Sequence, residues 1–464
     1  MKPKTLKELR KSRYRILSVR EEMRKNLIAK LKRGEPLFSD IVGYEYTVIP
    51  QLENAILSGH DMIFLGERGQ AKSRLIRNLI HLLDEEIPIV KGCEINDHPF
   101  APICTSCRKK ARELGDALEI EWIGRDRRYA EKLATPDVTV ADLIGEVDPI
   151  KVAEGKYLSD EEVIHFGLIP RVNRGIFSVN ELPDLAEKVQ VGLFNIMQER
   201  DVQIKGFLVR LNLDVLIVAS ANPEDYTNRG RIITPLKDRY SSQIRTHYPS
   251  NQDVEARIVE QERRRFDENG YVVVLPEFMR DILTQITFLA RQNPDVNQHS
   301  GVSVRMSISN TECLLSNAEK RAIRLGEKEA VPRISDLPSI VSSTSGKLEL
   351  ESFSFDGKED RLVNHLISAA IKETFDKYFN ISSLGEVVKA FHDGATAVVS
   401  DSLESEQYLQ QFSEIEALES AARSLCGDCT PAMYASAAEF ILEGLYLHQQ
   451  IHKESVGGKL RYKG

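Results

Sequence analysis

Eight residues, Gly66 to Ser73, read GERGQAKS and lie between an apolar run, Met62 to Leu65, and a helix-patterned stretch, Arg74 to Ile80. A glycine loop between a strand and a helix turns successive backbone N–H groups toward one point. With the positive end of the helix behind them, such groups surround a triphosphate without help from side chains. At this spacing Lys72 reaches the β- and γ-phosphates and Ser73 offers its hydroxyl to Mg²⁺. The candidate nucleotide loop is therefore Gly66, Glu67, Arg68, Gly69, Gln70, Ala71, Lys72, Ser73 and Arg74. One position departs from the G-x-x-x-x-G-K-[ST] pattern, because Ala71 stands where the second glycine is expected. We expect Ala71 to have entered the helix already, where a methyl group costs little, and Gly69 to supply any positive φ. The competing interpretation is a strand-to-helix turn that happens to hold a lysine, and the matching pieces found downstream weigh against it.

A second group able to do chemistry follows. Cys93, Cys104 and Cys107 fall within fifteen residues of one another, with His98 between them. Thiolates and imidazole suit tetrahedral Zn²⁺, and C-x-x-C is a common half-site. The expected set is Cys93, His98, Cys104 and Cys107, set against the plainer alternative of three reduced thiols and a surface histidine. A further C-x-x-C, Cys426 to Cys429, has no partner nearby in the sequence and reads as a turn joining helices. Cys313 reads as a core residue.

The frame holding these groups is a chain of 464 residues, long enough for about two to four domains. Its formal charge of −8 argues against a surface that coats nucleic acid, which needs clustered Lys and Arg. No apolar run has membrane-spanning length, and the basic N-terminus lacks the apolar centre of a signal peptide. The expected compartment is the cytoplasm, where C-x-x-C pairs point to metal or redox chemistry before structural disulfides.

In order, residues 1–36 read as a basic amphipathic helix or helix pair ended by Pro36. Residues 37–250 form the nucleotide-binding core with the Cys-rich insert 93–107. Residues 251–345 are helical, and residues 346–464 form a further helical domain beyond a linker near 353–357. Leu185 to Glu199 reads as a helix and residues 201–210 as a hairpin turning at Gly206. Val215 to Ser220 reads as a buried strand.

The lead-in Phe38 Ser39 Asp40 Ile41 Val42 Gly43 ahead of the loop resembles the AAA+ ATPases, in the branch of the magnesium-chelatase motor subunit and the MoxR-type ATPases. The resemblance returns in Leu143 to Asp148 and in Gly167 to Glu181, and covers roughly residues 38–345. It implies an α/β fold: a P-loop NTPase core of parallel sheet flanked by helices, with an α-helical lid and an additional α-helical C-terminal domain. It implies that Ile41, Val42 and Gly43 lie against adenine, and that the strand ending at Asn180 and Glu181 is the Walker B strand. There one carboxylate normally serves Mg²⁺ and the next the attacking water. Asn180 brings no charge, so Mg²⁺ is expected to be held more weakly, whereas Glu181 keeps the water-activating place. Asn222 matches sensor 1, Arg239 the arginine finger with Arg231 and Arg229 as runners-up, and Arg305 sensor 2.

By that resemblance the chain is an ATP- and Mg²⁺-dependent motor acting as a ring, expected to be a hexamer. Its partner is expected to carry a von Willebrand factor A domain. Two other functions compete. A DNA-directed transcription activator of the same superfamily is weakened by Val147 Asp148 Pro149 where a "GAFTGA" loop belongs, and by the lack of a basic helix-turn-helix. A slowly hydrolysing nucleotide-binding scaffold is suggested by Asn180, but retention of Lys72, Glu181, Asn222, Arg239 and Arg305 argues against it.

Overall fold

The structure, a computed structural model, describes residues 2–464 except 13, 149, 151–162, 200–210, 223–229, 267–269, 298–300, 351–357 and 428–429. The expected hairpin at 201–210, the linker at 353–357 and the runner-up Arg229 lie outside the described residues. The chain divides into two compact units, Met1–His247 and Tyr248–Gly464.

The first unit is built on strands β1 (Met62–Leu65), β2 (Glu86–Val90), β3 (Ile120–Gly124), β4 (Tyr129–Leu133), β5 (Gly145–Val147), β6 (Ile164–Phe166), β7 (Gly175–Asn180), β8 (Val215–Ala221) and β9 (Ser242–Arg245). Five of them form one parallel sheet in the order β4-β7-β8-β1-β9. Its inner strands β1, β7 and β8 are near-continuous apolar runs because both faces are covered. Met62, Phe64, Ile176, Leu216 and Val218 enter one core, whereas Ile63, Phe177, Val179, Ile217 and Ala219 enter another. The alternation follows from the two-residue period of a strand. In consequence the carboxyl ends of β1, β7 and β8 open along one edge, where parallel α/β sheets place ligands.

The helices of this unit include α1 (Leu6–Lys11), α2 (Val19–Arg33), α3 (Val48–Ser58), α4 (Lys72–Asn78), α5 (Thr105–Leu114), α6 (Glu187–Glu199) and α7 (Thr234–Arg239). A 3₁₀ turn, Leu79–Leu82, prolongs α4. The basic N-terminal stretch forms the expected pair of helices. Its second helix ends on Gly34, in the left-handed region at φ 68°, two residues before the proline expected to stop it. β2 and β3 pair antiparallel outside the main sheet and carry the Cys-rich insert between them.

The second unit holds helices Gln252–Glu262, Glu277–Gln292, Arg305–Leu325, Lys358–Tyr378 and Pro431–Leu447. Residues from both sides of 345 share one hydrophobic core, among them Ile282, Met306, Leu337, Val363, Phe375 and Phe440. Besides its helices, this unit contains a three-stranded antiparallel sheet of Thr396–Val399, Lys459–Lys463 and His452–Val456, which the helical reading of the C-terminal residues did not include. Its hairpin turns on Gly457 and Gly458, at φ 58° and 79°. Two successive positive φ values are the requirement of a tight two-residue turn. Cys313 is half-buried, with its thiol on the Ser339 carbonyl at 3.1 Å. Cys426, which closes helix Glu416–Cys426, is disulfide-bonded, where C-x-x-C pairs were expected to point to metal or redox chemistry before structural disulfides.

Candidate functional site

The loop after β1 runs into α4 as its residue types require, with one exception. Ala71 has φ 55° and ψ 18°, so it is itself left-handed, as is Gly69 at φ 77°. The expected helical φ at Ala71 is corrected: the position keeps the conformation of the glycine it replaces. An L-residue pays about 1–2 kcal/mol for that region. Gly66 is needed for a different reason. A Cβ there would come within 2.0 Å of Thr246 Oγ1 and 2.3 Å of Gln70 Oε1.

Lys72 is buried, and its Nζ donates to the Gly66 carbonyl, to the Glu67 carbonyl at 2.9 Å and to Asn222 Oδ1. Asn222, just past the end of β8, donates through Nδ2 to Glu181 Oε2 at 2.8 Å. Lysine, amide and carboxylate thus form one chain across the ends of β1, β8 and β7. Glu181 has φ 56°, again left-handed for a residue with a side chain. Strain of that kind persists where the surroundings hold it, and it is concentrated at functional sites.

The rest of the loop is braced from within. Gln70 Oε1 accepts from the Glu67 N–H at 3.1 Å and from Thr246 Oγ1 at 2.7 Å. Tyr44, directly after the Ile41, Val42 and Gly43 segment, donates from its hydroxyl to the carbonyls of Gln70 or His247, at 2.9 and 2.8 Å. Ile41 is buried while Val42 and Gly43 are partly open, and Gly43 has φ 87°. Arg74 bonds Asp40 at 2.9 Å, so this member of the candidate loop ties the lead-in to α4. Arg68 is exposed and Ser73 half-buried on the first turn of α4.

Asn180 ends β7, and its Nδ2 donates to Glu131 Oε1 on β4. Sequence reasoning missed Glu131, because it belongs to no motif and reaches the site only through strand register, with Leu133 opposite Asn180. Arg77 of α4 forks onto the same carboxylate with both contacts at 2.8 Å. The Arg77 hydrogen bonds, opposed by burial, hold Glu131 below the ordinary carboxylate range. A charged carboxylate therefore stands beside the neutral amide of Asn180.

Of the arginines, Arg239 ends α7 and is half-buried. Its guanidinium stands 5.4 Å over the Phe194 ring and bonds Asp238 at 3.0 Å. Arg231 is exposed. Arg305 belongs to the second unit, where it is exposed on the first turn of helix Arg305–Leu325 with its N–H on Ser303 Oγ at 3.1 Å. In the insert, the atoms that gather within 4.8 Å belong to Cys93, Asp97, Cys104 and Cys107. His98 is not among them. Its Nδ1 accepts from the Phe100 N–H at 3.0 Å, and its ring lies 5.9 Å from that of Tyr14. Burial, helped by the Arg174 charge, pushes it down to about 3, so the ring is neutral.

No family model matches the chain. It is 25% identical to magnesium-chelatase subunit ChlI of Mesostigma viride over 290 residues, 61% of this chain and 76% of that subunit. With ChlI of Nephroselmis olivacea it shares 27% over 239 residues, 50% of this chain and 62% of that one. With the chloroplastic ChlI-1 of Arabidopsis thaliana it shares 26% over 238 residues, 50% of this chain and 52% of that one. A solved complex of magnesium-chelatase subunits BchI and BchD overlays with a TM-score of 0.35 at 19% identity, over 72% of this chain and 98% of that one. An overlay that loose adds no weight to the sequence match. The chain is an AAA+ ATPase homologue, weakly but consistently related to the magnesium-chelatase motor subunits.

Proposed function

We propose that this chain binds ATP with Mg²⁺ in the Gly66–Ser73 loop, hydrolyses it, and works as a ring, a hexamer, that remodels or activates a protein partner. The observation that carries the proposal is the continuous contact from Lys72 through Asn222 to Glu181. In this assignment Lys72 exchanges its loop carbonyls for phosphate oxygens and neutralises charge there. Asn222 holds the Glu181 carboxylate in place, and Glu181 takes the proton of the attacking water. Bound Mg²⁺ supplies charge neutralisation at the β- and γ-phosphates, with Ser73 and Asn180 as its protein contacts. Arg239 acts from a neighbouring subunit on the γ-phosphate. The partner carries a von Willebrand factor A domain, by analogy with the chelatase motors, and the setting is the cytoplasm. Insertion of magnesium into a porphyrin is the narrower form of the same proposal.

Turnover measured across protein concentration tests the ring. We expect the specific activity to rise as the chain assembles. Arg239→Ala should bind ATP normally and lose about 10³-fold in turnover, as for a finger offered in trans. Specific activity independent of concentration, together with an unimpaired Arg239→Ala, would refute the ring.

A further inference from the structure

The Cys-rich insert has no part in the nucleotide chemistry, yet it brings four metal-ligating side chains together. Cys93 follows β2 in a short turn, its N–H on the Val90 carbonyl at 3.0 Å. Cys104 caps α5, and Cys107 lies in the first turn of that helix. Asp97 closes the ring between them. One atom from each of the four side chains lies within 4.8 Å of the others. All four residues are buried: Cys93 and Cys104 are 6% exposed, Cys107 1% and Asp97 0%. The three cysteines are free thiols, so no disulfide accounts for their proximity.

Two further features point to a cation. Backbone N–H groups are already directed at sulfur, Asp97 to Cys93 Sγ and Cys107 to Cys104 Sγ, both at 3.3 Å. Such donors stabilise sulfur as thiolate, the form that binds metal. Asp97 Oδ2 is satisfied by the N–H groups of Ile103 and Cys104 at 3.1 and 2.9 Å. Its Oδ1, equally buried, has no hydrogen-bond partner. A fully buried carboxylate oxygen without a partner carries the whole desolvation cost of that atom. A cation at the centre of the cluster removes it. Tetrahedral ligands about 2.3 Å from zinc stand about 3.8 Å from one another, a spacing compatible with four atoms that all lie within 4.8 Å.

We propose that Cys93, Asp97, Cys104 and Cys107 hold one tetrahedral structural Zn²⁺, with Asp97 rather than His98 as the fourth ligand. The ion joins the end of β2 to the start of α5. The loop it closes is already fastened to the segment entering the Walker B strand. Asn96 Nδ2 donates to the Arg171 carbonyl at 2.7 Å, Asn173 Nδ2 to the Ile95 carbonyl at 3.1 Å, and Arg174 to the Pro88 carbonyl at 2.8 Å. Its role is to make this brace rigid, not to enter the reaction.

The test is the metal content of the full chain, purified through a chelator wash and measured by mass spectrometry, with Co²⁺ as a spectroscopic probe. We expect about one zinc per chain. The reduced metal-free chain should show thiolate-to-cobalt charge transfer and tetrahedral d–d bands when Co²⁺ is added. Asp97→Asn should weaken metal binding by at least about tenfold, whereas His98→Ala should bind as the parent does. A chain that carries no stoichiometric zinc and gives no cobalt–thiolate band overturns the site. Loss of metal in His98→Ala with retention in Asp97→Asn overturns the ligand set. Neither wild-type readout depends on any variant folding.

Discussion

Glu131 beside Asn180 is the residue-scale feature with the sharpest consequence. Restoring the family's carboxylate by Asn180→Asp alone would place two negative groups in contact and remove the amide donor that Glu131 now accepts. We expect that variant to bind Mg²⁺–ATP no better than the parent, and the pair Asn180→Asp with Glu131→Gln to bind it more tightly. Mg²⁺ titrations of turnover in the four proteins of the cycle measure this, and a gain from Asn180→Asp alone would contradict it. The depressed Glu131 also fixes a sign with pH. Its contribution to stability is complete above the unfolded carboxylate value of about 4.3 and is lost as pH falls through the lower folded value. The melting-temperature gap between the parent and Glu131→Gln should therefore narrow below about pH 4. At Ala71, left-handed with a methyl group, Ala71→Gly should raise stability by about 1 kcal/mol, read by chemical denaturation. Lys72, Glu181 and Asn222 carry a sequence signal, because Lys72 opens the helix after a glycine loop and the other two directly follow apolar strands. Glu131 and Asp97 do not, since register and a loop's closure bring them in rather than spacing along the chain.

Among elements, α2 shows how the basic N-terminal stretch is used. Glu22, buried on this helix, receives both terminal nitrogens of the fully buried Arg128, at 2.8 and 2.6 Å. Arg128 also donates to the Arg174 carbonyl just ahead of β7. Removing one partner leaves the other charge buried, so Glu22→Ala should cost about 3–5 kcal/mol. Glu22→Leu with Arg128→Met should recover much of that loss, and denaturation of single and double variants checks it. The amphipathic pattern foretold the helices but not this ion pair, because one glutamate among many charges carries no mark of burial. The hairpin of the C-terminal sheet is marked in the sequence. His452 to Val456, Gly457 Gly458 and Lys459 to Lys463 have the strand, two-glycine turn and strand pattern of a hairpin. Helical spacing in the flanking segments obscured it.

For the whole molecule, the parallel order β4-β7-β8-β1-β9 explains why three distant stretches of sequence meet at one edge. Parallel neighbours present their carboxyl ends on the same side, so Lys72 after β1, Glu181 after β7 and Asn222 after β8 converge without any local signal joining them. The order itself was not read from the sequence, which reveals strands but not their neighbours. Among the described residues no helix is long and apolar enough to cross a membrane. The central claim is that this edge hydrolyses ATP. It is tested most directly by steady-state Mg²⁺–ATP turnover of the parent and Glu181→Gln, with ATP affinity measured on both. The account predicts turnover by the parent, a loss of about 10²-fold or more in Glu181→Gln, and unchanged affinity. A parent that binds ATP without turnover, or a Glu181→Gln variant that turns over as the parent does, would contradict it.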